Sequence, residues 1–338
     1  MFSIGEIKAE PGSKTSGFLH SENLLMPDGS RSFWNIPVII LNGTEPGPVL
    51  EVDGCIHGEE QEGAFTVLEL AERIDPKELK GTVILVPVLN VPGFLAYGGT
   101  RGSTTDLMYV DMNRQFPGDP SSMSHTRRAV DTFWNTIIKK CDYTINLHGC
   151  LKPQVPRVVY NEELKASREM AKAVAMNDDW IIASRSEHTL LEEHTVNWAC
   201  TKEGIPNIFI ESGPVCRSTE GIKKDVEFIV SGIINFMRKI EMIPGDAHIP
   251  DRWRVTDYYT HVRARGAGII RPEPRLKINN IVKKGELLCT LVDFLGDEMD
   301  RVYAPHDGIV LMEPHHVSVT PEGGICLLGY LPRYAKQI

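Results

Sequence analysis

Asp53-Gly-Cys-Ile-His57-Gly-Glu-Glu60 is the stretch that decides the fold, because it joins an apolar run, Val49–Asp53, to a helical one. Its two glycines suit a tight turn from a strand into a helix. His57 and Glu60 lie three residues apart, so both side chains can meet one metal ion. A histidine followed three residues later by glutamate occurs nowhere else in the chain. The competing interpretation is a surface histidine at a helix N-terminus, where acidic residues favour the helix dipole.

Outward from this turn, residues 36–240 alternate between apolar strands and helical stretches. The predicted strands are Pro37–Leu41, Val49–Asp53, Thr82–Val88, Tyr143–Leu147, Arg157–Tyr160 and Asn207–Ile210. The predicted helices are Glu60–Ile74, Ser124–Lys140, Glu162–Met176, Thr189–Glu203 and Thr219–Ile240. Continuous apolar strands interleaved with helices predict an α/β fold whose sheet is covered by helices on both faces.

Three reactive side chains, His57, His148 and Glu211, each come directly after a predicted strand. Because ligands of such sheets bind beyond the carboxyl ends of the strands, we expect the three to share one site. A lone histidine such as His148 is more often a hydrogen-bonded core residue. A carboxylate is costly to bury without a partner, which favours a cleft position for Glu211. The alternative for Glu211 is a cap on the turn that follows it.

A loop motif, Asp111-Met-Asn-Arg-Gln-Phe-Pro-Gly118, places Asn113 and Arg114 side by side. Both can meet one carboxylate, and arginine supplies a bidentate fork for it. The alternative is a surface turn with an Asp–Arg ion pair. Arg101, in a glycine-rich run, can reach a developing oxyanion, or it is simply a loop arginine.

Composition bounds the class of protein. The 338 residues are enough for two domains, and 42% hydrophobic and 24% charged residues are ordinary for a globular protein. A net charge of −9 argues against a nucleic-acid binder. The apolar runs have strand length, so no membrane span is predicted. Seven scattered cysteines without a CxxC pair, and no secretory signal, predict reduced thiols and a cytoplasmic location.

The sequence changes character after Met242. Residues 252–338 hold short β-like runs separated by glycine and proline. The clearest of these runs are Gly268–Ile270, Leu287–Val292, Gly308–Leu311 and Ile325–Gly329. We therefore expect a catalytic domain over residues 1–248 and a small all-β domain over residues 249–338.

Two segments of this second part, Asn280–Leu288 and Ala304–Val310, resemble the biotinyl/lipoyl barrel-sandwich fold. Carrier versions of that fold place a modifiable lysine on an exposed hairpin. The corresponding stretch here, Val292–Met299, has no lysine. A structural role, or a role in shaping the cleft, is therefore expected.

Four fragments in order, HGEE at 57–60, DMNRQFPG at 111–118, LHG at 147–149 and the late Glu211, together resemble the zinc carboxypeptidase-like fold. More closely they resemble its succinylglutamate desuccinylase/aspartoacylase branch, over about residues 36–215. The C-terminal β region extends the likeness to nearly the whole chain. Within the branch, Ser16–His20 and His57–Gly63 resemble bacterial N-acetyl-diaminobutyrate deacetylase-like members.

The resemblance implies one zinc ion per subunit, held by His57, Glu60 and His148, with Glu211 as the general base. The implied activity is zinc-dependent hydrolysis of the amide bond in a small N-acylated amino acid. A metallocarboxypeptidase that trims peptide C-termini would use the same residues. A non-catalytic binding protein of the same fold is the third possibility, and it predicts the loss of a ligand or of the base.

The resemblance also implies that Arg101 polarises the scissile carbonyl, and that Asn113 and Arg114 hold the substrate carboxylate. Met112 stands where the family has leucine, a volume-conserving change. The implied partner is a small-molecule substrate, and a homo-oligomer is possible.

Two further groups of residues are less specific. Arg157 and Arg185 lie in the part of the chain that could contact a second anionic group of the substrate. Structural ion pairing is the favoured use of both. His188 and His194 flank two glutamates, Glu192 and Glu193, as a second metal cluster would. Their predicted helix favours a solvated face instead.

Overall fold

The computed structural model describes most of the chain. The described residues are all except 22–23, 26–30, 33, 97–98, 104, 107–109, 151–152, 178–179, 186–192, 215–218, 257–258, 315–317, 322, 332 and 337–338. The strands up to residue 150 are β1 (Phe2–Ile4), β2 (Ile7–Ala9), β3 (Ser13–His20), β4 (Leu24–Leu25), β5 (Arg31–Ser32), β6 (Asn35–Asn42), β7 (Glu45–Gly54), β8 (Lys80–Val86) and β9 (Tyr143–Cys150). The next strands are β10 (Arg157–Asn161), β11 (Ile181–Arg185), β12 (Asn207–Pro214), β13 (Arg252–Thr256), β14 (Tyr259–Arg263), β15 (Gly268–Pro272) and β16 (Ile281–Val282). The last strands are β17 (Leu287–Val292), β18 (Glu298–Tyr303), β19 (Gly308–Met312), β20 (Ser318–Val319), β21 (Gly324–Tyr330) and β22 (Arg333–Lys336).

The helices fall between residues 62 and 239. They are α1 (Glu62–Arg73), α2 (Val91–Leu95), α3 (His125–Thr136), α4 (Lys165–Val174), α5 (Val196–Lys202) and α6 (Thr219–Lys239), with short 3-10 helices at Met112–Arg114 and Ile138–Lys140. No helix in the described part of the chain is long and apolar enough to cross a membrane.

A ten-stranded mixed sheet forms the centre, in the order β22-β13-β11-β10-β12-β9-β7-β8-β6-β3. β7 pairs in parallel with both β8 and β9, and β9 pairs in parallel with β12. β10 then runs antiparallel to β12. The predicted α/β class is confirmed, with a mixed sheet.

Helices cover both faces of this sheet, and residues on both sides of the central strands are buried. On one face, Leu50 and Val52 pack in a core with α1, α4 and α6. On the other face, Ile84 and Val86 pack in a second core with α3 and α5. The carboxyl ends of β7 and β9 therefore open at one edge, where a ligand can reach them.

Several boundaries differ from the sequence predictions. Four strands of the sheet, β3, β11, β13 and β22, were not among the strands predicted for it. β3 is an edge strand whose exposed and half-buried residues alternate, so it carries no apolar run. The helix predicted from Thr189 begins at Val196, where the Thr195 side chain accepts a hydrogen bond from the Trp198 N–H and so caps it. Residues 189–192 of that prediction lie outside the described residues.

The C-terminal part holds two four-stranded antiparallel sheets, β14-β21-β19-β16 and β18-β17-β15-β20, around one apolar core. The four β-runs expected here are all strands. β13 and β22, which also follow residue 248, pair instead with the central sheet. The division into domains at residue 248 stays a prediction.

Candidate metal and catalytic site

Three side chains, His57, Glu60 and His148, converge at the carboxyl ends of β7 and β9. One ligand atom from each lies within 4.8 Å of the others, and all three residues are buried. Glu60 Oε1 is 2.9 Å from His57 Nδ1, and Glu60 Oε2 is 2.8 Å from His148 Nδ1. This is the only such His/Cys/Asp/Glu cluster among the residues that the structure describes.

The turn that carries His57 and Glu60 depends on glycine. A Cβ at Gly58 would lie 2.1 Å from the carbonyl carbon of Gly93, so only glycine allows the turn to approach α2 this closely. The Gly58 N–H also donates to the Thr100 carbonyl at 2.8 Å. These contacts place the turn against the loop that carries Arg101.

The acidic and basic side chains of the cluster stabilise the charged forms of one another. Burial disfavours a charged His57, but the carboxylates of Glu60 and Asp111 outweigh this effect and raise the pKa of His57 to about 9. Burial likewise opposes ionisation of Glu60, and His57 and His148 together hold its pKa well below the usual range. Without a metal, the cluster therefore binds a proton on His57 at neutral pH.

Asp111 links His57 to Arg101. Its Oδ1 is 3.2 Å from His57 Nε2, and its Oδ2 accepts a hydrogen bond of 3.1 Å from Arg101 Nε. Burial would raise the pKa of Asp111, but His57 and Arg101 lower it further than burial raises it. An Asp–Arg ion pair in a surface turn was the alternative for this motif, whereas the structure pairs Asp111 with Arg101 beside the cluster.

Arg101 reaches the site because its loop folds back on itself. The Ser103 N–H donates to the Val110 carbonyl at 2.8 Å. This hydrogen bond joins the two ends of the segment between Arg101 and Asp111. Arg101 Nη1 then lies 3.9 Å from Glu60 Oε1, while 44% of the side chain stays exposed. The guanidinium therefore borders the cluster and also faces solvent.

Asn113 and Arg114 lie on the 3-10 helix that follows Asp111. Asn113 Oδ1 accepts a hydrogen bond from the Val196 N–H at 2.9 Å, so its amide nitrogen faces His148 Nε2 at 3.4 Å. Arg114 Nη1 donates to the Asn113 carbonyl at 2.7 Å. The outer nitrogen of His148 thus faces an amide group, whereas the outer nitrogen of His57 faces the carboxylate of Asp111.

Glu211 lies beside His148 because their strands are in register. Glu211 on β12 is the Cα partner of His148 on β9 and of Arg157 on β10. Arg157 Nη2 is 3.6 Å from Glu211 Oε1, and Gln154 Nε2 donates to Glu211 Oε2 at 3.2 Å. These contacts and the strand register connect six of the seven residues predicted for the site, and the seventh, Arg114, follows Asn113 on the same short helix. The structure also adds Gln154, which no local sequence pattern indicates.

The other predicted groups have different outcomes. Arg157 is ion-paired, as expected. The side chain of Arg185, and His188 and Glu192 entirely, lie outside the described residues. His194 Nδ1 donates to the Phe116 carbonyl at 2.9 Å, which gives this histidine a local structural partner.

Two buried carboxyl groups, Glu51 and Asp53, lie on the same strand that leads to His57. Asp53 accepts a hydrogen bond of 2.5 Å from Asn146 Nδ2, whereas no donor in the described part of the chain contacts either oxygen of Glu51. Burial, followed by the neighbouring Asp53, raises the pKa of Glu51 well above its usual range. Burial also raises the pKa of Asp53 to about 7, against a lowering by the Asn146 hydrogen bond. Both carboxyl groups therefore favour the protonated form more than they would in water.

Comparison with known proteins agrees with this geometry. Residues 46–222, more than half of the chain, match the family model of the succinylglutamate desuccinylase/aspartoacylase catalytic domain. N-alpha-acetyl-L-2,4-diaminobutyric acid deacetylase of Halomonas elongata is 25% identical over 327 residues, which cover 93% of this chain and 92% of that protein.

Solved structures share the fold over nearly the whole chain. A succinylglutamate desuccinylase/aspartoacylase from Rhodobacter sphaeroides has a TM-score of 0.79 at 21% identity, covering 96% of this chain and 99% of its own. The product-bound ectoine utilization protein EutE (DoeB) from Ruegeria pomeroyi has a TM-score of 0.80 at 20% identity, covering 96% and 98%. The resemblance drawn from the motifs is confirmed. This chain belongs to the succinylglutamate desuccinylase/aspartoacylase family.

Proposed function

We propose that this protein is a zinc-dependent hydrolase that cleaves the amide bond of a small N-acylated amino acid. The observation that carries the proposal is the placement of Glu211 next to His148 in the sheet, beside the cluster of His57, Glu60 and His148. Two imidazoles and one carboxylate with a buried, convergent geometry are the ligands of catalytic zinc sites that keep a fourth position open.

The donor set fits zinc in a second respect. Both Nδ1 atoms face Glu60, and the outer nitrogen of His57 meets the carboxylate of Asp111, a partner that orients metal-ligating histidines. Zinc bound there would lower the pKa of water and polarise the scissile carbonyl. One ion per subunit is proposed, on this single cluster.

Glu211 is the proposed general base. Its side chain is 18% exposed, and Gln154 and Arg157 contact its two carboxylate oxygens. It takes a proton from the attacking water and returns it to the leaving amine. The guanidinium of Arg101, 3.9 Å from Glu60 Oε1, is proposed to stabilise the developing oxyanion.

Asn113 and Arg114 are proposed to hold the carboxylate of the substrate. Asn113 uses its oxygen on Val196, which leaves its amide N–H group as the donor on the site side. Arg114 adds a guanidinium on the same short helix. Fixing the substrate at its carboxylate turns binding free energy into alignment of the amide with Glu211.

The substrate class is supported by the similar enzyme of Halomonas elongata, which is named for an N-acetylated diamino acid. The non-catalytic alternative predicts the loss of a ligand or of the base, and both are present here. We also propose a cytoplasmic protein, because all five described free cysteines are buried thiols. We further propose that the C-terminal part is a barrel-sandwich-like domain and that the protein forms a homo-oligomer.

The test is an activity profile with a matched inactive variant. Zinc content is measured first. Then N-acetyl and N-succinyl amino acids are compared with dipeptides as substrates of the wild type and of Glu211→Gln. The proposal expects hydrolysis of the acyl amino acids and its loss in the variant, with zinc retained. Unchanged activity in Glu211→Gln, or a preference for dipeptides, would overturn it.

A further inference from the structure

We propose that Gln154 and Arg157, together called the base clamp, are positioning residues for Glu211. This inference rests on the proposed function, in which Glu211 is the general base. Between them the two side chains contact both carboxylate oxygens of Glu211, Gln154 at Oε2 and Arg157 at Oε1. They also contact each other, since Arg157 Nη1 donates to Gln154 Oε1 at 3.0 Å. The three side chains therefore form a closed ring.

The hydrogen bonds of the ring run in one direction, from Arg157 to Gln154 and from Gln154 to Glu211. Arg157 donates to the Gln154 oxygen, which fixes the Gln154 amide so that its nitrogen faces Glu211. That nitrogen also donates to the Ser212 carbonyl, directly after the base. Gln154 thus contacts both the side chain of Glu211 and the backbone that carries it.

The guanidinium of Arg157 contacts Glu211, Gln154 and the Val155 carbonyl. Only 5% of the residue is exposed, and its Nε lies buried without a partner among the described residues. The guanidinium carbon lies 5.9 Å from the ring centroid of Tyr259, a residue of β14 in the C-terminal part. Arg157 therefore acts through Glu211, which agrees with the ion pairing favoured for it in the sequence over contact with a second anionic group.

The C-terminal β region supports the base clamp from outside. The Val155 N–H donates to the Leu311 carbonyl at 2.8 Å, and the Glu313 N–H donates to the Pro153 carbonyl at 3.1 Å. The backbone of Gln154 is thus held as a short antiparallel partner of the β19 end, opposite Met312. This pairing gives the C-terminal strands a part in the site that does not require contact with substrate.

Holding both oxygens matters because a glutamate side chain has three rotatable bonds and many rotamers. A base that samples them spends less time aligned with the attacking water, so kcat falls while binding of the substrate does not change. Releasing the base clamp is therefore expected to lower kcat about 10- to 100-fold and to leave KM within about twofold.

The experiment compares Gln154→Leu and Arg157→Met with a matched control, Asn235→Leu. Asn235 is equally buried and makes three hydrogen bonds far from the base, two to the His248 backbone and one to the Ala173 carbonyl. Steady-state kinetics and thermal unfolding are measured for each. The base clamp predicts low kcat with unchanged KM in the first two variants only, at a comparable loss of stability. Equal kcat in all three variants would overturn it.

Arg157→Lys keeps the inference testable if Arg157→Met does not fold. Lysine retains the cation beside Glu211 but loses the fork that reaches Gln154, so an intermediate kcat is expected. Wild-type kcat in this variant would contradict the proposal.

Failure of the proposed function is recognised separately, because it appears in the wild type as a lack of hydrolysis. In that case a double-mutant cycle of Arg157→Met and Glu211→Gln in thermal unfolding decides the matter. Non-additive shifts in the unfolding midpoint support the base clamp, and additive shifts overturn it.

Discussion

His57 and Asp111 are joined by a contact of 3.2 Å between Nε2 and Oδ1, on the side of the imidazole that faces away from Glu60. The contact fixes the ring orientation and directs Nδ1 into the cluster. The same carboxylate binds Arg101, so one side chain orients a metal ligand and the arginine proposed for the oxyanion.

Replacing Asp111 with asparagine is expected to weaken zinc binding about 10- to 100-fold, because the ring of His57 loses its charged partner. Asparagine keeps an acceptor for the Asn113 N–H, so the local turn survives. Competition with a chromogenic chelator measures the change. Asp119→Asn is the control, since Asp119 lies in the same loop and its side chain accepts hydrogen bonds from the N–H and the hydroxyl of Ser121. Equal zinc affinities of the two variants would contradict the prediction.

Zinc binding should release a proton. The pKa of His57 is raised to about 9 in the metal-free protein, so the ring is charged at pH 7 and must lose its proton to bind a metal. Affinity for zinc is therefore expected to rise with pH by about tenfold per unit until about pH 9, and then to level off. Calorimetry at pH 7 in two buffers of different ionisation enthalpy counts the protons. Identical heats in both buffers would rule out this release.

The Glu51–Asp53 pair should make stability depend on pH. Both folded pKa values are raised, so folded carboxyls hold protons that the unfolded chain has released above about pH 4. Unfolding then releases protons, and the free energy of unfolding falls as the pH rises through 7. Glu51→Gln removes part of this dependence. Relative to the wild type, it should gain on the order of 1–3 kcal/mol between pH 5 and pH 8.

Urea unfolding at the two pH values measures this gain, and Glu72→Gln, an exposed substitution on α1, is the control. The control should show the same difference from the wild type at both pH values. A gain of equal size in the two variants would remove the buried pair as its cause.

The turn glycine Gly58 should tolerate no side chain. Alanine there would meet the backbone of Gly93, which cannot move as a flexible side chain does. Gly58→Ala is expected to lower the melting temperature by at least about 2 °C and to weaken zinc binding, because His57 is the preceding residue. Gly266→Ala, which has no neighbour within 4 Å of its Cβ, should change neither. Differential scanning calorimetry and metal analysis distinguish them.

Much of the site could be predicted from the sequence, because its ligands follow strands that are recognisable by their apolar runs. His57, His148 and Glu211 all end such runs, and the sheet brings the ends together. Gln154 could not be predicted, since it meets Glu211 across 57 residues and only strand pairing determines that contact. β3 was missed for a related reason: an exposed edge strand carries no continuous apolar run.

Arg157, Glu211 and His148 occupy one straight row across three adjacent strands. The three side chains are neighbours across the sheet, although they come from three separate segments of the sequence. Anyone who transplants this activity into another scaffold must reproduce the register of three strands, because a one-residue slip in any of them would turn its side chain to the opposite face of the sheet.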